Sequence, residues 1–322
     1  MTIETPGNGN QPIADLSYRN YDGPLKTRRF RWWIVALANM RLTIRKKAFW
    51  IVAAVATLPY IFQGLSLYIQ SMTENAPMMH LNPMLAAQTE RTFALSFFMA
   101  FNGQMLWLFI VALMCGANSI AADNQTNALL VYLSKPVTKW DYLIGKWMSV
   151  FLTIWFVALA PALIMFIYCM LSYSGDGFLT KEPTLFLRML VATAIPAFLH
   201  ASLLVGVSAW SKTGRMAGAA YAAFFFITTA IVSVATIIRF GMNPAKGTLM
   251  RHLTVEGVMQ GLAQNVYGVT MRLPKFSKAF EMKELTLSPP NPWVLLAVFV
   301  ALCLIGIAAA RARIRAVEVV RG

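Results

Sequence analysis

Six runs in this chain are apolar for about the length of a bilayer crossing, and they constrain its fold more than any other feature. A helix of roughly 20 apolar residues spans the hydrocarbon core with every backbone polar group bonded within the segment. The runs lie at about Ala48–Gln70, Phe93–Ala121, Leu143–Tyr173, Leu185–Trp210, Met216–Ile238 and Trp293–Ala310. The second and third are long for a simple crossing, so tilt or a helical extension into water is expected. Pro161 and Pro196 are expected to kink the third and fourth. Of the 322 residues, 58% are hydrophobic and 13% charged, whereas an ordinary soluble domain is about 25% charged. This composition excludes a disordered chain and argues against a soluble enzyme. The expected fold is an all-α integral membrane protein with six transmembrane helices.

The net charge is +15. On a soluble protein that would suggest nucleic acid. Here the basic residues lie between apolar blocks and are read as topology, with no nucleic-acid partner. Lys26, Arg28, Arg29, Arg31, Arg41, Arg45, Lys46 and Lys47 precede the first run, and no acid occurs between Asp22 and Glu74. The positive-inside rule puts that flank in the cytoplasm. Lys135, Lys139 and Lys146, then Lys212 and Arg215, then Arg311, Arg313, Arg315 and Arg321 agree with it. No cleavable signal sequence is expected, because the first apolar run starts behind a long polar arm. The expectation is a multi-pass protein of the plasma membrane (a bacterial inner membrane), both termini cytoplasmic. Cys115, Cys169 and Cys303 lie inside apolar blocks and imply no disulfide framework.

The remaining segments follow. Residues 1–24 read as a flexible cytoplasmic tail. Residues 25–47 read as an amphipathic helix at the inner membrane face, with Arg31, Trp33, Leu37 and Arg41 among its interfacial residues; the competing reading is a topology anchor and nothing more. Residues 48–240 carry five spans and an inner loop at 122–142, residues 293–311 the sixth span, and residues 312–322 a basic cytoplasmic tail. Between them, residues 241–292 are expected outside as a small helical cap. Leu253, Val255, Val258, Met259, Leu262 and Val266 suggest one amphipathic helix, and Lys275 to Glu284 a second, more polar stretch.

The inner loop is the most informative stretch. Asp123-Asn-Gln-Thr126-Asn-Ala-Leu129 leads into a short apolar turn ending at Leu133. Pro136 stops it, because the residue before a proline avoids the helical region. Thr138 then offers an N-cap and Asp141 completes a capping-box pattern. The product is a helix-break-helix elbow over Leu129–Lys139 that feeds the third span.

This pattern, with Ile120-Ala-Ala-Asp123, Leu133-Ser-Lys-Pro-Val-Thr-Lys139 and Tyr142-Leu-Ile-Gly-Lys146, resembles the inner loop of type-2 ABC-transporter permeases. Permeases of nitrous-oxide reductase maturation and gliding-motility systems are the relatives it is most similar to. The resemblance covers the six-span plan and is specific over about Ala117–Lys146. It implies that the loop is a coupling helix meeting a separate ATPase subunit, through Asp123, Leu133, Lys135, Pro136, Lys139, Tyr142, Gly145 and Lys146, with Leu129 on the same elbow. It also implies an ATPase dimer, a second permease copy, and export more often than import. Two departures stand out: the stretch after Asp123 lacks the family's frequent acidic-basic cluster and Gly-Thr-Leu, and Lys139 stands where Arg is usual.

No GxxxxGK[ST] occurs, so ATP and Mg are expected on the partner ATPase and no cofactor on this chain. His80, His200 and His252 are far apart, no HExxH occurs, and no Ser/His/Asp arrangement suggests an enzyme. Met78, Met79, His80 and Met84 form the one metal-like cluster. Thioethers with an imidazole suit Cu(I), but the chain has 19 methionines, and Met commonly fills irregular membrane-edge contacts. Gly214, Gly218 and Ala222 recur at spacing four and mark close helix packing, between subunits or within one bundle. His200 is expected to be neutral and bonded to a backbone carbonyl, and Arg188 and Arg239 to snorkel at span ends. The rivals to an ATP-driven permease are a secondary transporter, for which the spans hold too few acids, and a non-transporting anchor or mechanotransmitter of an ATPase complex. The substrate is not legible.

Overall fold

A computed structural model describes residues 30–74, 93–126, 138–175, 177–240, 248–276, 282–287 and 290–314. Among them are six helices long and apolar enough to cross a membrane: Lys47–Met72, Phe93–Gln125, Lys139–Ser172, Leu185–Trp210, Gly214–Arg239 and Pro292–Arg313. These are spans one to six, and the protein is a multi-pass helical membrane protein. Residues from Arg31 onward form one compact unit.

The chain enters through α1 (Arg31–Ile44), which lies against the start of span three. Its buried stripe is Val35, Ala36 and Thr43, and Asn39 Nδ2 donates to Ser149 Oγ. Trp33, Ile34 and Leu42 stay exposed, available to the bilayer surface, and Arg41 is exposed beside them. Leu37 is half-buried, and Ile44 packs against the core.

Span one is two helices, α2 (Lys47–Val55) and α3 (Leu58–Glu74), broken at Ala56–Thr57. Pro59 falls in the first turn of α3, where a missing N–H is tolerated. Spans two (α4, Phe93–Gly116, with its short extension α5, Ala121–Gln125), three (α6, Lys139–Ser172) and four (α8, Leu185–Trp210) hold the core. A short helix, α7 (Phe178–Lys181), joins the last two. Spans one, five (α9, Gly214–Phe240) and six (α11, Pro292–Arg313) are peripheral, with Phe62, Ile231 and Leu304 among their exposed residues. Span three starts four residues before its apolar run because the Thr138–Asp141 box caps it. Helices run through both Pro161 and Pro196.

Spans four and six approach closely. A Cβ on Gly206 would sit 2.6 Å from the Gly306 carbonyl oxygen, and a Cβ on Gly306 would collide with the Ser202 carbonyl. Small residues let backbones meet in this way. Of the glycines singled out in span five, Gly214 abuts the Asn118 side chain and Gly218 lies in ordinary contact with Ala117, with Ala222 half-buried one turn on.

Between spans five and six, a 3₁₀ turn (Thr248–Leu253) leads to α10 (Val255–Tyr267), capped by Thr254 and ended by left-handed Gly268. The expected second helical stretch is instead an antiparallel ribbon, β1 (Met271–Phe276) with β2 (Met282–Leu287), pairing Met271 with Leu287 and Phe276 with Met282. Pro274 is a poor helix residue but is tolerated on an edge strand, and both strands of a ribbon are edges. The cap is fastened to the spans. Tyr267 packs against Phe98 and Phe101 of span two. Asn265 Nδ2 donates to the Pro290 carbonyl. Arg188, expected only to snorkel, donates to the Tyr267 carbonyl at 3.2 Å and pairs with Glu182.

Candidate functional site

The two feet of the elbow are built differently. The first is the turn at Ala117–Gln125, clamped to the end of span four by one hydroxyl. Ser208 Oγ accepts from the Ile120 and Ala121 N–H groups at 3.1 and 2.9 Å and donates to the Ala117 carbonyl. Asn124 Nδ2 adds a bond to the Ala209 carbonyl. These backbone groups would otherwise be orphaned at a helix end. The second foot is the first turn of span three. Thr138 Oγ1 accepts from the Asp141 N–H, and Asp141 Oδ2 accepts from both the N–H and hydroxyl of Thr138.

A buried ionic triad ties the feet together. Asp123 Oδ2 lies 2.7 Å from Lys146 Nζ and accepts from the Tyr142 hydroxyl at 2.6 Å. The Lys146 and Asp123 side chains are only 6% and 14% exposed. In such surroundings each charge is stabilised by the other. Gly145 completes the foot: a Cβ there would sit 2.7 Å from the Trp32 carbonyl and from Val35, so α1 lies directly against span three.

This geometry changes the expected division of labour. Tyr142, Gly145 and Lys146, expected at a subunit contact, are buried inside their own chain. Asp123 is half-buried, and Lys139 is exposed at the first position of span three. Leu129, Leu133, Lys135 and Pro136 lie outside the described residues, as do Met78, Met79, His80 and Met84.

A second polar device sits in mid-membrane. Gln104 of span two is fully buried, and its Nε2 donates to the Ala56 carbonyl at 3.2 Å and the Val157 carbonyl at 3.1 Å. Val157 is four residues before Pro161, so its carbonyl lost its helical donor to the proline. The Ala56 carbonyl lies at the break in span one, where the Tyr60 N–H turns to Thr57 instead. One amide therefore serves both helix interruptions. Below it, Tyr60, Gly64, Tyr68, Pro161, Ile164 and Tyr168 line an apolar cleft of about 510 Å³ between spans one and three. His200 bonds through Nδ1 to the Tyr221 hydroxyl of span five at 2.6 Å, not to a backbone carbonyl as expected. Phe109 stacks on Phe225 beside it. This polar bond and ring stack hold the peripheral span five to the core.

The described residues thus give six candidate spans, with an ion pair joining the end of the second to the start of the third. No curated protein matches the chain. The family model for ABC-2 family transporter proteins matches residues 33–313, from α1 to the last turn of span six. That match covers most of the sequence, and the chain belongs to the ABC-2 family of transporter membrane proteins.

Proposed function

We propose that this chain is the permease subunit of an ATP-driven exporter, powered by a separate ATPase dimer that carries the ATP and Mg. A second permease copy completes the membrane part. The elbow at Leu129–Lys139 is the docking element, with both termini and the elbow in the cytoplasm and the α10–β1–β2 cap outside. The permeases of nitrous-oxide reductase maturation and gliding-motility systems are the subgroup proposed for it.

The observation that carries this reading is the triad beneath the elbow. A loop that only connects two spans needs no buried ion pair at its base. Asp123, Tyr142 and Lys146 brace spans two and three, and Ser208 adds span four. A push on the elbow is thereby delivered to three core helices together. Tyr142, Gly145 and Lys146 act as struts in this mechanism, and Leu133, Lys135 and Lys139 supply contact. Leu133→Asp tests it: an unpaired charge in an apolar contact costs several kcal/mol, which reduces docking by orders of magnitude. Lys139→Glu weakens docking less, because a rim charge is screened by salt. Copurification of the ATPase with each variant is the measurement. Full association of Leu133→Asp would reduce the elbow to a connector.

A further inference from the structure

Lys139, Trp140, Leu143, Arg311 and Ile314 enclose a pocket of about 190 Å³ between the first turn of span three and the last turn of span six. Two cations meet there. The Arg311 guanidinium carbon lies over the Trp140 ring, 4.4 Å from its centroid. Neither Lys139 nor Arg311 takes part in a salt bridge among the described residues. The nearest carboxylate in sequence, Asp141, is held by Thr138. Among the described residues, then, no carboxylate supplies the countercharge for the pocket.

Three features identify that countercharge. First, the pocket lies at the headgroup level. Trp140 and Trp210, at the ends of spans three and four, are 45% and 62% exposed. Each carries an arginine from the end of span six over its ring, Arg311 and Arg313. Trp and basic residues at span ends mark the membrane–water boundary. Second, its floor is apolar: Leu143 and Ile314 are buried. A free anion gains nothing from such a floor, whereas the glycerol and first methylenes of a lipid do. Third, its size suits a small anionic group. Pockets for drug-sized ligands run to about 300–1,000 Å³, and this one is of a size to take a phosphate with its glycerol.

The geometry points to a site for the phosphate of an anionic phospholipid, gripped by Lys139 and Arg311 between spans three and six. Basic pockets between transmembrane helices take headgroups of this kind. A lipid bound here bridges the foot of the elbow to span six, which lies against span four at Gly206–Gly306. Lys139 is shared with the proposed docking element, so Arg311, on the far span, separates the two roles.

The test uses the purified full chain without any ATPase. Mixed micelles of phosphatidylglycerol or phosphatidylcholine are titrated, with bound lipid counted by native mass spectrometry and the thermal midpoint followed in parallel. Wild type should prefer phosphatidylglycerol. Lys139→Gln with Arg311→Gln should lower that preference about 30-fold, each cation near a membrane surface contributing roughly fivefold. Arg311→Gln alone should lower it about fivefold, and it serves if the double variant elutes as aggregate. Lys212→Gln with Arg215→Gln, which removes two exposed cations from the span four–five turn, should leave it unchanged. An undiminished preference in the Arg311 variants overturns the site. So does millimolar inorganic phosphate that displaces the lipid or reproduces its thermal shift, since the site would then serve a soluble anion.

Discussion

Removing both partners of the Asp123–Lys146 pair should damage this protein less than the two single losses added together. Lys146→Met leaves the Asp123 carboxylate, 14% exposed, with the Tyr142 hydroxyl as a neutral donor, and Asp123→Asn leaves an ammonium that is 6% exposed without its carboxylate. Breaking a buried pair from one side costs about 3–5 kcal/mol, because the surviving charge loses this countercharge. For a chain of this size that lowers the melting midpoint by about 4–7 °C. The double variant keeps no buried charge at this point. The side-chain amide that replaces the Asp123 carboxylate can still accept from the Tyr142 hydroxyl, and Met fills the space of the lysine stem. The double variant should recover about 2–3 kcal/mol relative to the sum of the single changes. The assay is thermal unfolding of the four proteins in one detergent, read by the fraction that stays monodisperse. Additive losses, with the double variant as weak as both singles combined, would refute the claim that the two charges stabilise each other.

Gln104→Leu strands the Ala56 and Val157 carbonyls and should cost roughly 2–4 kcal/mol. Adding Pro161→Ala returns an N–H to Val157, so about half of that loss should be recovered in the same melting assay; no recovery contradicts the role given to Gln104. Gly306→Ala, which pushes a Cβ into the Ser202 carbonyl, should destabilise by over ~2 kcal/mol, whereas Gly64→Ala, with nothing within 4 Å, should be neutral or gain up to about 1 kcal/mol. Asn127→Cys should resist an impermeant thiol reagent in intact cells and react after the membrane is opened; ready labelling in intact cells would invert the proposed topology.

What is legible in the sequence is local. Apolar runs fix spans because lipid leaves the backbone no alternative. The Thr138–Asp141 cap is readable because both partners lie within one turn. Tertiary partners are not. Asp123 and Lys146 stand out as single residues, but nothing in the spacing between them says that they pair. Ser208 and Gln104 are single polar residues inside apolar runs. An amide in a span does signal a helix-to-helix bond, so Gln104 carries a signal that Ser208 lacks, though not the identity of its two carbonyl partners. His200 bonds a hydroxyl on another helix where a local carbonyl was expected. The ribbon departs from the expected helix because the charge pattern of that stretch carries less weight than Pro274. The Gly206–Gly306 contact has one glycine on each helix, so no small-residue repeat announces it within either span.

The central claim is that a separate ATPase drives this chain through the elbow, and isolation of the protein from its native membrane tests it most directly. The account predicts that an ATPase subunit copurifies with wild type. It further predicts that Leu133→Asp abolishes this association while the chain itself inserts at a near-normal level. A chain recovered intact without any ATPase, or with an ATPase equally bound to Leu133→Asp, would contradict it.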